Sequence, residues 1–83
     1  ASNYKSHINV INKMNKQYGN KYNFATLNIA ESEAATFNSR FHIYPNLPYI
    51  LILRDGGKVS RYVKRDCAID YSCAVSKMRT FLE

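Results

Sequence analysis

Eighty-three residues, 46% of them apolar and with seven Tyr and four Phe, suffice for one small packed domain and leave no room for a second core. Lys and Arg number twelve against six acidic residues, a formal net charge of +6, and they are spread along the whole chain. The longest apolar run, residues 49–53, is far short of the ~20 residues a membrane helix needs. Few Gly and Pro exclude collagen-like and disordered classes, and only two Cys exclude a disulfide scaffold. Residues 1–13 lack the continuous apolar centre of a signal peptide, so they carry no targeting signal and leave the secretory-pathway lumen and the cytoplasm equally open.

Tyr4, Ile8, Ile11, Met14 and Tyr18 recur at helical spacing and predict an amphipathic helix with Lys5, Asn12, Lys13 and Lys16 facing water. Gly19 and Asn20 both accept a left-handed conformation readily and are expected to end it. Residues 22–29 alternate imperfectly as a strand, with Phe24, Ala25, Leu27 and Ile29 as its apolar members. Ser32 is placed to cap a short helix whose buried stripe is Ala34, Phe37 and Phe41. Pro45 and Pro48 push their predecessors out of helical geometry, so residues 44–48 read as irregular. Tyr49-Ile50-Leu51-Ile52-Leu53 follows at once, and such a continuous β-branched run reads as a strand buried on both faces. Asp55-Gly56-Gly57 is a hairpin turn, and residues 58–64 return as a polar edge strand. Tyr71, Ala74, Val75, Met78, Phe81 and Leu82 form the stripe of a last helix, with Asp66 or Asp70 as its cap. The expected fold is one α/β domain over residues 1–83, in the order α-β-α-β-β-α.

Few residues carry chemistry on their own. The acidic residues have ordinary positions as turn formers and caps, no Ser-His-Asp order exists, and Gly56-Gly57 is a hairpin rather than a phosphate-cradling loop. His7 and His42 have no carboxylate or Cys at ligand spacing and read as bystanders; neither metal nor cofactor is implied. Lys58, Arg61, Lys64 and Arg65 are the densest basic stretch; they read first as a solvated edge, with phosphate or nucleic-acid contact the weaker alternative. Cys67 and Cys73 would point well apart if both stood in one helix. They are therefore read first as two idle thiols. A bridge requires Cys67 to lie before the helix, with Asp70 as its cap.

Several segments together resemble the thioredoxin-like superfamily. Residues 18–29, YGNKYNFATLNI, are similar to that family's helix end, loop and following strand. Phe41-His42-Ile43 through Leu47-Pro48 resembles its aromatic segment ending in Ile-Pro-Thr, with one extra residue. Leu51-Ile52-Leu53-Arg54-Asp55-Gly56-Gly57-Lys58-Val59 resembles its apolar strand, Gly turn and edge strand. The resemblance covers the family's later two-thirds and implies a β-α-β part before residue 1, including a central strand. That strand would come from a longer protein or from a partner, unless strand 22–29 pairs directly with the 49–53 strand.

The register of the resemblance puts the family's Cys-x-x-Cys at Ala1-Ser2-Asn3-Tyr4, so Ala1 and Tyr4 stand at the two thiol positions and neither can supply a thiolate. Asn9 falls at the family's kinking proline and Thr26 at its buried lysine. The resemblance thus implies a redox-inactive module of the disulfide-isomerase or phosducin-like type that binds a protein or peptide. Pro48 falls at the cis-proline, and Leu47, Pro48, Tyr49 and Tyr44 would form the docking loop. Two alternatives stay open: the end of an active thiol–disulfide oxidoreductase with its dithiol upstream, and a structural subunit of a large assembly.

Overall fold

The computed structural model describes residues 2–26 and 48–83, and these form α1 (Ser2–Tyr18), β1 (Ile50–Arg54), β2 (Val59–Val63), α2 (Arg65–Ala68) and α3 (Tyr71–Leu82). This is a mixed α/β arrangement of helices with a two-stranded antiparallel sheet. Residues 22–26 carry no strand, contrary to the sequence reading. Residues 27–29, the expected helix after Ser32, and Tyr44 and Leu47 lie outside the described residues.

Helix α1 forms where the apolar spacing puts it, but its buried line is rotated. Val10 and Met14 are buried, His7 and Tyr18 are half-buried, and Tyr4 stands 58% exposed rather than in the core. His7 tolerates the inner position because its Nδ1 is 3.0 Å from the Ala68 carbonyl oxygen, so the ring is not left without a partner. It is a tie between α1 and α2, not a bystander. The helix ends after Tyr18, as expected, but without a left-handed residue at Gly19 or Asn20. The Gly19 N–H donates to the Asn15 carbonyl at 2.7 Å, and a Cβ at Gly19 would collide with that same oxygen. Close backbone approach, not positive φ, is what selects glycine here.

The hairpin pairs Ile50 with Val63, Ile52 with Arg61 and Arg54 with Val59. Its turn takes Asp55, Gly56 and Gly57 through φ of 56°, 68° and 85°, and the Gly57 N–H donates to the Arg54 carbonyl. Three consecutive positive φ values after Arg54 turn the chain back on itself, and Gly at two of the three positions adopts them without steric cost.

Lys64 leaves β2 extended and opens α2, a single helical turn. Asp70 then caps α3, its Oδ1 accepting from the Cys73 N–H at 3.3 Å, and Asp66 is left as an exposed first-turn residue of α2. Ile52 and Val63 from the hairpin meet Val10 and Met14 from α1, Ala68 from α2, and Ala74 and Met78 from α3 in one buried cluster. Ala68 and Ala74 are fully buried; their small side chains let α1, α2 and α3 approach closely.

A candidate docking face on the hairpin

Residues directly opposite across a strand pair share a face. Ile50, Ile52, Val63 and Arg61 therefore face the helices, while Leu51, Leu53, Tyr62 and Ser60 face away. Arg54 anchors the inner side: its Nη1 donates to the Phe81 carbonyl at 2.9 Å and its guanidinium lies 4.5 Å from the Phe81 ring centroid.

The outer side is apolar without being buried. Leu53 is 38% and Tyr62 40% exposed, and Leu51 is half-buried. Tyr49, next to the bend at Pro48, meets the Tyr62 ring edge-to-face at 5.4 Å between centroids, an aromatic pair that holds two broad side chains in a fixed pose. Burial pushes the Tyr49 phenol above its usual value of 10.0, and Tyr62 beside it adds to the shift. Tyr49 therefore stays neutral across the physiological range. The sequence reading of a strand buried on both faces is corrected at Leu53: among the described residues α1 and α3 cover one side of the hairpin, and Leu53 on the other is exposed.

The sequence-predicted residues fall in three places. Pro48 and Tyr49 border this face; Tyr44 and Leu47, their expected companions, lie outside the described residues, as does Ala1. Tyr4 is an exposed residue of α1's first turn. Lys58 and Lys64 are exposed at the two ends of β2, Arg61 is half-buried on the helix-facing side opposite Ile52, and exposed Arg65 lies 3.9 Å from Asp66. The four basic residues thus do not share one face. Lys64 follows Tyr62 by two residues in extended backbone and continues the outer side.

Cys67 and Cys73 are joined in a disulfide, which corrects the reading of two idle thiols. The helical argument for separation fails because the chain breaks helix at Ile69 and Asp70, so Cys67 belongs to α2 and Cys73 to the first turn of α3. Sequence reasoning did not single out Leu53 and Tyr62. The signal lay in the lack of any charge at alternate positions of residues 49–53, which marks both faces as apolar without saying what covers each.

Among the described residues no group of three or more His, Cys, Asp or Glu could hold a metal ion, and no helix is long and apolar enough to cross a membrane. Compared with known proteins, the chain matches no family model, no curated protein and no solved structure.

Proposed function

We propose that the chain is a redox-inactive, thioredoxin-like binding module whose outer hairpin face takes an extended acidic segment of a protein partner. The observation that carries this reading is the exposed apolar face, with Leu53 and Tyr62 reaching solvent beside the Tyr49–Tyr62 aromatic pair. Rigid aromatic anchors lose little entropy on binding and make good interface centres. Lys58 and Lys64 at the ends of β2, in a chain of net charge +6, favour carboxylates on the segment.

The thioredoxin-like part is supported by a Gly-turned hairpin and a closing helix at the positions the resemblance assigns them. The redox-inactive part is supported by Tyr4, which the register of the resemblance puts at the second thiol position.

The test uses fluorescence polarisation with a short labelled peptide alternating Glu with Leu. Binding that weakens as salt rises and is lost in Leu53→Asp, a variant at an exposed position, is the expected result. No binding, or binding equal in Leu53→Asp, refutes the reading.

A further inference from the structure

We infer that the Cys67–Cys73 bridge is a reversible thiol–disulfide switch that stiffens or loosens the α2–α3 junction. The inference is independent of the docking face.

The bridge spans the two sides of a helix break, tying the single turn α2 to the first turn of α3. Both cysteines are half-buried rather than sealed in the core. The junction is also held without them. The Ile69 N–H donates to Arg65, the Asp70 N–H to Cys67 and the Ala74 N–H to Asp70, all through backbone carbonyls. Ala68 is fully buried and its carbonyl oxygen is 3.0 Å from His7 Nδ1. The folded scaffold therefore keeps both sulfurs close when the bond is open, and what the bond adds is rigidity within residues 67–73.

Opening is an exchange with an external thiol. A monothiol such as glutathione, as its thiolate, attacks Cys67 Sγ; the S–S bond breaks and its electron pair leaves on Cys73 Sγ. The Cys73 thiolate takes up a proton from solvent. A second thiolate then attacks the glutathione sulfur of the mixed disulfide and releases Cys67, which is protonated. Two external thiols become one disulfide, and the protein gains two electrons and two protons.

The test holds the full chain, without denaturant, in glutathione buffers from oxidised to reduced. Trapped thiols are counted by mass after alkylation, and amide hydrogen exchange is followed. Conversion to the dithiol is expected, with protection over residues 67–73 falling roughly tenfold or more and by a larger factor than that of the 50–63 hairpin, which drops only with the global stability. Re-oxidation should restore the starting pattern. A bridge that opens only in denaturant refutes the inference, and so does loss of hairpin protection in step with residues 67–73. The C67S/C73S double variant should show the reduced pattern; the oxidised pattern in it would equally refute control by the bridge.

Discussion

Removing the bridge should destabilise the domain by about 2 kcal/mol without unfolding it. The cysteines are 6 apart in sequence, so the bond closes a loop of seven residues, counting both ends. Cross-linking a loop of that length removes roughly 2.1 + 1.5R ln 7, or about 8 cal/mol/K, of denatured-state entropy, which is about 2.4 kcal/mol at room temperature. A chain of this size has on the order of 4–12 kcal/mol of stability, so the domain stays folded. At roughly 4–8 °C per kcal/mol for such domains, the midpoint should fall by about 10–19 °C. Urea and thermal melts of C67S/C73S against the oxidised protein measure this directly. A loss under about 0.5 kcal/mol would mean the denatured chain already holds the junction together. Complete unfolding would mean that the backbone hydrogen bonds at Ile69, Asp70 and Ala74 do not hold the junction by themselves.

Gly19→Ala should cost roughly 1–3 kcal/mol because the added Cβ meets the Asn15 carbonyl, which is backbone and cannot swing away. A urea melt within a few tenths of the parent would show that the helix end relaxes freely. Met14→Ala removes a side chain that is 1% exposed at the centre of the cluster and should cost about 2–5 kcal/mol. Met14→Leu, read in the same melts, should cost less than ~1.5 kcal/mol. Equal losses in the two variants would place the packing elsewhere. The Glu83 carboxyl is held below its ordinary value of 4.5, chiefly by the Tyr22 hydroxyl and further by Arg79 and Lys21, with burial opposing. A lowered folded value means that its contribution is present above the unfolded value and is lost as pH falls through the folded one. Tyr22 and Lys21, 3.0 and 3.3 Å from the same oxygen, should therefore let go in acid. The stability gap between the parent and Glu83→Gln should close over that acidic range, and a gap independent of pH would contradict this.

The elements most legible in the sequence were those whose signal is local. The Ile8–Ile11–Met14 spacing, the Asp55-Gly56-Gly57 turn and the Ala74–Met78 stripe each specify their structure within a few residues, and α1, the hairpin and α3 formed there. What was misread depends on partners distant in the chain. His7 took an inner position on α1 because Ala68, sixty-one residues beyond it, presents its carbonyl oxygen to the ring. The Cys67–Cys73 bridge turned on a helix break at Ile69 and Asp70 that apolar periodicity does not register. Arg54 looked like an ordinary strand-end charge and proved to be a clamp on Phe81. Of the docking face, Pro48 and Tyr49 were marked by the proline before an apolar run. Leu53 and Tyr62 were not, since which side of a two-faced apolar hairpin is covered depends on elements distant in the chain, among the described residues α1 and α3.

The most direct measurement is an amide-shift titration of the isotope-labelled protein with the alternating Glu-Leu peptide. Shifts concentrated at Leu51, Leu53, Ser60, Tyr62 and Lys64, with α1 unmoved, are predicted for a segment lying on the outer face of the hairpin. Shifts confined to α1 or α3, or none at saturating peptide, would contradict the docking face.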